Sequence, residues 1–263
     1  MRLAAIQYKP PKGRVAQARQ ELVTLVEAAG QEGAQIIVAP EMATTGYVWS
    51  SPQEIAPHTE PARGPTLEAL APLAQKFGAW IVCGFAERFV HPQGHLPPER
   101  RRNLASLYNS ALVINPEGEL ATCYRKVLLY TADTTWANAG TRRPLCPTSL
   151  GTLTPAICMD VNDDELIRFL VETSPDFLAF CTNWVEEGED VHAYWRNRLA
   201  PWRGWTIAAN TWGTDRGTRF SGRSAIFDPD GKVVTEAGPE GNAVIVAEVD
   251  GPPQRLTHTP ADA

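Results

Sequence analysis

The stretch that decides the fold runs over residues 154–181, TPAICMDVNDDELIRFLVETSPDFLAFC. It opens with one apolar run, 154–159, and closes with another, 177–181, each of the length of a strand buried on both faces. Between the two runs, Asp163 or Asp164 can cap a helix with an apolar side. A strand, a helix and a second strand in this order predict a parallel β-α-β unit.

The same pattern occurs in the N-terminal part of the chain. Apolar runs at 3–8, 35–39 and 80–85 predict three further buried strands. Between them, residues 15–29 and 67–77 carry apolar side chains at the spacing of amphipathic helices, and each helix is followed by glycine. The first part of the chain is therefore predicted to repeat the β-α-β order.

Each part continues into a predicted hairpin. The turn sequences NPEG at 115–118 and DPDG at 228–231 each separate two apolar runs. Two similar halves, each a mixed sheet with helices on one side, can pack sheet against sheet. The predicted fold is an α/β four-layer α-β-β-α sandwich. A length of 263 residues allows one large domain or two small ones, and since no linker is evident, we expect one domain over residues 1–263.

The composition excludes several classes of function. The chain has 24 basic and 30 acidic residues and a net charge of −6, which argues against a nucleic-acid partner because phosphate binding needs basic side chains. It contains no apolar run of membrane-spanning length, and its N-terminus lacks a secretory pattern, so we expect a cytoplasmic protein without a membrane partner. The five cysteines include no CxxC pair, and we expect free thiols, with neither a disulfide framework nor a metal site.

Three chemically reactive residues follow predicted strands. Glu41 follows QIIVAP, Lys126 ends ATCYRK, and Cys158 follows TPAI. Ligands of α/β proteins gather at such strand ends. Taken singly, each residue also has a structural interpretation: Glu41 as a helix cap or ion-pair partner, Lys126 as a surface lysine, and Cys158 as a small core residue.

The three segments occur in the order PEMATTGY, YRKVLL and AICMDVN. In this order they resemble the glutamate, lysine and cysteine motifs of the nitrilase, or carbon–nitrogen hydrolase, superfamily. The similarity extends to the opening LAAIQ, to YNSALVINPEGELATCYRK and to the closing FSGRSAIFDPDGKVV. The resemblance implies an α-β-β-α sandwich, a homodimer or higher homo-oligomer, and catalysis without a cofactor.

The resemblance also implies a role for each motif residue. Glu41 is expected to be the general base, Lys126 the electrostatic stabiliser and Cys158 the nucleophile. A thiol with an ordinary pKa near 8.5 is mostly protonated at neutral pH, so a neighbouring carboxylate has to accept its proton. The lysine and the backbone N–H of Met159 are expected to hold the oxyanion.

The segments YRKVLLYTADTTWANAG and AICMDVN are similar to those of protein N-terminal amidases. This similarity implies hydrolysis of a terminal carboxamide through a thioester, either the side-chain amide of an N-terminal Asn or Gln or a small-molecule analogue. A nitrilase or an N-carbamoyl amide hydrolase would share the same three residues. A catalytically inactive binding or scaffold subunit is the alternative from another class.

The chain departs from the family at one acid. Many members have a second glutamate after the lysine, often at the position that Thr134 occupies here. Asp133 is the only acid between Lys126 and Cys158. It is expected either to support the lysine, with Thr134 donating a hydrogen bond, or only to cap the following turn.

Residues beside these strand ends are predicted to contact the substrate. They are Tyr47, Asp160, Asn183, Trp184, Glu186 and Glu187. The acidic loop 186–190 is either solvated or attracts a cationic amine. Nearby tryptophans either form core and subunit contacts or line a substrate wall, namely Trp184, Trp195, Trp202, Trp205 and Trp212.

Overall fold

Strands and helices alternate in both halves of the chain. The computed structural model describes residues 1–90 and 105–251. The helices are α1 (Val15–Gln31), α2 (Pro52–Ile55), α3 (Pro65–Phe77), α4 (Asp164–Thr173) and α5 (Val191–Leu199). The strands are β1 (Arg2–Gln7), β2 (Ile36–Val38), β3 (Trp80–Val90), β4 (Ala105–Ile114), β5 (Leu120–Arg125), β6 (Cys146–Thr148), β7 (Gly151–Ile157), β8 (Phe177–Thr182), β9 (Trp205–Asn210), β10 (Trp212–Asp215), β11 (Thr218–Ser221), β12 (Ala225–Phe227), β13 (Val233–Glu236) and β14 (Ala243–Glu248).

The larger strands form two six-stranded sheets of related topology. The first has the order β14-β1-β2-β3-β4-β5 and the second the order β13-β12-β9-β8-β7-β6. Three neighbouring strands are parallel in each sheet, β1 to β3 and β7 to β9. Each parallel set continues into the predicted antiparallel pair, β4–β5 or β12–β13.

The two sheets face each other, and the helices cover their outer faces. Leu3 and Ala5 of β1 enter the layer between the sheets, where Phe177 and Ile207 come from the second sheet. The alternate residues of β1 pack outward with α1 and α3, as the two-residue period of a strand requires. Leu170 and Trp195 pack α4 and α5 on the other outer face. The predicted α-β-β-α sandwich is confirmed.

The helix ends follow the sequence signals. Asp163 caps α4 by accepting a hydrogen bond from the Glu165 amide, and Gly78 ends α3 at a φ of +60°, in the left-handed region, where a side chain would be strained. Across residues 1–90 and 105–251, no helix is both long enough and apolar enough to cross a membrane.

Three local differences from the sequence predictions occur near the site, and the edge strand β6, which was not predicted, is a fourth difference. The run predicted as a strand at 154–159 ends at Ile157, because Cys158 starts a 3-10 turn, Cys158–Asn162. Neither α2 nor the antiparallel hairpin β10–β11 was predicted from the sequence. All three lie at the carboxyl ends of the parallel strands or beside them, where loops set the shape of the site.

Candidate active site

The predicted site residues come together because four strands end at one edge of the sandwich. Glu41 follows β2, Lys126 follows β5, Cys158 follows β7, and Asn183 follows β8. β5 is antiparallel to β4, which is antiparallel to β3, so β5 runs in the same direction as β2. The carboxyl ends from both sheets therefore meet at one place.

A glycine in β3 allows the turn at Glu41. The Gly84 amide donates to the Pro40 carbonyl at 3.1 Å, and the Ala43 amide donates to the Gly84 carbonyl at 2.9 Å. A Cβ at position 84 would lie 2.4 Å from the Pro40 oxygen and 2.5 Å from the Glu41 Cα. Met42 has a φ of +51°, so the chain turns sharply directly after the glutamate.

Lys126 lies between two carboxylates. Its Nζ is 2.7 Å from Glu41 Oε1 and 2.6 Å from Asp133 Oδ2. The Asn109 amide group donates to both acids, at 2.7 Å to Glu41 Oε1 and 3.0 Å to Asp133 Oδ1. Lys126, Glu41, Asp133 and Asn109 are fully buried. We call these four residues the charged cluster.

Burial and charge act in opposite directions on the lysine. Burial by itself would lower the pKa of Lys126, but the negative charges of Asp133 and Glu41 outweigh it and raise that pKa well above its usual value. The ammonium form is therefore the one that the cluster stabilises.

Glu41 also contacts the segment that follows β8. Its second oxygen, Oε2, accepts a hydrogen bond of 2.9 Å from the backbone N–H of Asn183. Burial raises the pKa of Glu41, and the negative charge of Asp133 raises it further, against the opposing effect of Lys126. A carboxylate with a raised pKa is a stronger base than an exposed one.

Cys158 has the backbone conformation of a sharp turn between a strand and a helix. Its φ is +44°, in a region that side chains other than glycine adopt at a cost and that often marks functional sites. Burial, followed by the negative charge of Glu41, raises the pKa of its thiol to about 12, while Lys126 and polar groups of Thr182 and Asn183 oppose the shift. The thiol therefore needs a base to become a nucleophile.

The turn after Cys158 exposes a backbone donor. Met159 is the second residue of the 3-10 turn Cys158–Asn162, and the first amides of a helical turn have no acceptor inside it. Met159 also lines the cavity at Cys158. Met159 therefore lies at the cavity beside Cys158, and the oxyanion contact expected of its N–H stays a prediction.

The second acid is Asp133, which contacts Lys126; it does not cap the following turn, because the 3-10 turn Asp133–Thr135 has no side-chain cap hydrogen bond. Its Oδ2 accepts from Lys126 Nζ and also, at 3.0 Å, from the Tyr130 amide at the start of its own turn. The expected hydrogen bond from Thr134 to the site is absent, because its exposed hydroxyl donates to the Thr131 carbonyl at 2.8 Å. The expectation for Thr134 is therefore corrected.

Asp160 is not a substrate contact, which corrects another expectation. Its carboxylate is fully buried and accepts four hydrogen bonds: from the amides of Ile157, Val127 and Leu128, and from the Tyr124 hydroxyl at 2.7 Å. These bonds join the segment after Lys126 to the turn at Cys158. Asp160 thereby fixes the lysine and cysteine segments relative to each other.

A cavity of about 250 Å³ opens above Cys158. Aromatic and apolar side chains form much of its wall, and three glutamates are on its rim. It is lined by Tyr130, Cys158, Met159, Asn162, Asn183, Trp184, Val185, Glu186, Glu187, Glu189, Val191, Tyr194 and Ser221. The predicted contacts Asn183, Trp184, Glu186 and Glu187 thus line the same cavity as the predicted nucleophile.

The rim of the cavity is acidic and exposed. Glu186 forms an ion pair with Arg219 at 2.5 Å, whereas Glu187 and Glu189 have no ion pair with a residue of the described ranges. The pKa of Tyr130 is raised, by burial first and then by the negative charge of Glu187. Glu187 therefore lies close enough to Tyr130, another residue of the cavity wall, to act on it electrostatically.

Not all of the predicted residues line the cavity of Cys158. Tyr47 is buried, and the centre of its ring is 5.7 Å from Lys126 Nζ. It lines a neighbouring cavity of about 220 Å³ with Asn183 and Phe220, not the cavity of Cys158. Among the tryptophans, Trp195 and Trp202 are core residues and Trp184 lines the cavity.

Asn109, which bridges both acids, was not predicted from the sequence. The signal that could have identified it is an asparagine inside the apolar run 108–114, where the structure buries its amide group fully. Tyr130, Asn162 and Tyr194 were not predicted to line the cavity, because they lie on loops or helices far apart in the sequence. Within the described ranges, no group of three or more His, Cys, Asp or Glu side chains is arranged to hold a metal ion.

The chain is similar to known proteins in sequence and in fold. The family model described as carbon–nitrogen hydrolase matches residues 2–255. A probable nitrilase of Schizosaccharomyces pombe is 31% identical over 82% of this chain and 75% of its own length. A protein N-terminal amidase of the same yeast is 25% identical over 87% of this chain and 91% of its own length.

The fold is shared with a solved amidase from Nesterenkonia sp. AN1, whose active-site cysteine carries an acrylamide adduct. The TM-score is 0.77 at 21% identity, over 95% of this chain and 93% of the amidase. Because the family model covers nearly the whole sequence, the chain belongs to the carbon–nitrogen hydrolase family.

Proposed function

We propose that the protein is a cysteine-dependent amidase that converts a terminal carboxamide to a carboxylate and ammonia. The observation that carries this proposal is the charged cluster, whose Glu41 accepts a hydrogen bond from Asn183, a residue that lines the cavity together with Cys158. Glu41 and Lys126 also both act on the pKa of the Cys158 thiol. The cluster and Cys158 together supply a thiol, a buried carboxylate and a buried ammonium, which are the groups that acyl transfer from an amide needs.

The first half of the reaction forms a thioester. Glu41 takes the thiol proton of Cys158, and the sulfur attacks the amide carbon. The carbonyl oxygen becomes an oxyanion, which the Lys126 ammonium and the Met159 N–H stabilise. Glu41 then gives its proton to the nitrogen, the C–N bond breaks, and ammonia leaves.

The second half hydrolyses the thioester. Glu41 accepts a proton from water as the water oxygen attacks the acyl carbon, and the new oxyanion forms against the same two donors. The C–S bond breaks, and the sulfur regains a proton from Glu41. One water is consumed, and the products are a carboxylic acid and ammonia.

The cavity supports an N-terminal Asn or Gln residue as the amide substrate. A volume of about 250 Å³ suits one residue or a small amide. The exposed carboxylates of Glu187 and Glu189 suit the cationic α-amine that such a residue carries. The aromatic side chains of Trp184 and Tyr194, whose ring centres are 5.2 Å apart, provide the apolar wall.

The decisive experiment is an ammonia-release screen over Asn- and Gln-starting dipeptides, small amides, nitriles and N-carbamoyl amides. We expect release from amides, and mass spectrometry of the quenched reaction should show an acyl adduct on Cys158. Cys123→Ala is the matched control, because that half-buried thiol lies in β5, away from the cavity. Full activity in Cys158→Ala, or an adduct on another cysteine, would contradict the proposal, and a preference for nitriles or N-carbamoyl amides would assign the alternative reaction.

The acidic rim predicts a preference for a free amine. Glu187→Gln should raise KM for Asn dipeptides and leave KM for their N-acetylated forms unchanged, since only the free amine is charged. Glu117→Gln in the hairpin turn after β4 is the control for a change of net charge. Equal effects on the free and acetylated substrates would refute this role of Glu187.

The homodimer and the cytoplasmic location expected from the sequence belong to this proposal. Sedimentation equilibrium of the purified protein tests the first, and fractionation of cells that express the tagged chain tests the second.

A further inference from the structure

The cavity has a strand edge in its wall. Residues 184–186 run antiparallel to β11, since the Glu186 amide donates to the Arg219 carbonyl at 2.9 Å and the Ser221 amide donates to the Trp184 carbonyl at 3.0 Å. The bridge pair is Val185 with Phe220. As β10 pairs with the other side of β11, residues 184–186 form the outer strand of a three-stranded ribbon.

The N–H and the carbonyl of Val185 are directed away from β11. The amide of Glu186 and the carbonyl of Trp184 face β11, and successive residues of a strand direct their polar groups to opposite edges. Throughout residues 1–90 and 105–251, no hydrogen-bond partner is found for the Val185 N–H or carbonyl. The edge is therefore open.

The open edge belongs to the cavity of Cys158. Trp184, Glu186 and Ser221 share one face of the ribbon and line that cavity. The side chains of Val185 and Phe220 share the other face and pack into the cluster that contains Tyr47 and Trp49. Val185 itself also lines the cavity, so the open edge adjoins it.

We infer that the substrate is the N-terminus of a peptide, and that the residues after the first bind as an added β-strand on Val185. A peptide N–H donates to the Val185 carbonyl, and a peptide carbonyl accepts from the Val185 N–H. Such pairing uses main-chain groups, so it is independent of the sequence of the peptide. This inference rests on the proposed function and adds a peptide subsite that a small amide cannot fill.

The test compares N-methylated peptides, which lack one main-chain donor each. Ammonia release is measured for Asn-Ala-Ala, for the two variants with N-methylalanine at the second or the third residue, and for asparagine methylamide, each against an enzyme-free blank. We expect kcat/KM to be about tenfold higher for Asn-Ala-Ala than for asparagine methylamide. One of the two N-methylations should reduce kcat/KM about tenfold, while the other serves as the steric control.

The protein side of the pairing is tested with two variants at the same position. Val185→Pro removes the N–H, whereas Val185→Ala keeps it and removes only the side chain. The proline variant should lower kcat/KM for Asn-Ala-Ala about tenfold more than the alanine variant does. If the proline variant does not fold, the N-methyl series on the unaltered protein decides.

The outcomes separate the two proposals. Ammonia release that is equal for asparagine methylamide, Asn-Ala-Ala and both N-methylated peptides would overturn the strand pairing and leave the amidase proposal standing. Release from small amides but from none of the Asn compounds would overturn the pairing and the N-terminal substrate together. The absence of release from every amide would overturn the proposed function as well.

Discussion

Replacing Asp133 with asparagine tests the charged cluster most directly. The carboxylate accepts three hydrogen bonds, from Lys126 Nζ and the Tyr130 amide on Oδ2 and from the Asn109 amide group on Oδ1. An asparagine has one acceptor oxygen, which can keep the first two bonds. Its NH₂ group then faces the Asn109 NH₂ group, so one bond is lost and two donors oppose each other.

The expected magnitudes follow from these contacts. The loss of one buried hydrogen bond to a charged group should lower the free energy of unfolding by about 1.5–3 kcal/mol. Lys126 also loses one of its two charged acceptors, and charge-assisted bonds are roughly twice as strong as neutral ones. If the transition state loses about 1.4–2.7 kcal/mol of stabilisation, kcat falls about 10- to 100-fold.

The variant should also shift the pH profile. The negative charge of Asp133 raises the pKa of Glu41, so its removal lowers that pKa. Because a base works above its pKa, the acidic limb of kcat/KM should move to lower pH. Ammonia-release kinetics across pH and urea unfolding measure both effects on the same preparation.

Thr134→Ala is the matched control, because it removes a hydrogen bond of the same turn without touching the lysine. It should cost about 0.5–1.5 kcal/mol of stability with a normal kcat and an unshifted profile. A folded Asp133→Asn protein with normal kcat and an unmoved acidic limb would show that Asp133 only stabilises its own turn.

Four further variants, at three positions, probe the same region. Lys126→Ala and Lys126→Arg should each lose about 10²-fold in kcat, since the planar guanidinium does not fit the place of the compact ammonium; near-normal turnover in the arginine variant would make the role of the lysine structural. Gly84→Ala should destabilise the protein by about 1–3 kcal/mol and lower kcat, because the new Cβ would lie 2.5 Å from the Glu41 Cα; normal thermal unfolding would contradict this. Tyr124→Phe should cost about 1.5–3 kcal/mol in urea unfolding, because Asp160 loses one of its four donors, and an unchanged midpoint would show that this bond contributes little.

The sequence predicts the layers of the fold because apolar periodicity reports which side chains are buried. The apolar runs that correspond to β1, β2, β3 and β8 and the two turn sequences predict the alternation of strands and helices and the two antiparallel pairs. The predicted positions of Glu41, Lys126 and Cys158 at strand ends also agree with the structure. These positions depend on where each strand ends, and glycine, proline and charged residues in the sequence mark such ends.

The direction of a side chain within a loop was not predictable from the sequence, because a loop has no apolar periodicity. Asp133 and Thr134 are neighbours, yet one is buried against Lys126 and the other is exposed, because the 3-10 turn Asp133–Thr135 rotates successive side chains to different sides. Asp160 was predicted to contact the substrate because the sequence does not show in which direction a side chain of a turn points. The left-handed conformation of Cys158 has no periodic signal, and it turns the carboxylate two residues later back onto the scaffold.

The buried charges of the cluster also limit how ionic strength can act on the enzyme. With Lys126 as an ammonium and Glu41 and Asp133 as carboxylates, the cluster carries one net negative charge. Transfer of the thiol proton to Glu41 moves that charge but does not change the sum, and neither does formation of the oxyanion. Salt ions screen exposed charges far more than buried ones. Added salt should therefore leave kcat nearly constant, while it lowers kcat/KM for a cationic peptide that is attracted by the exposed glutamates of the rim.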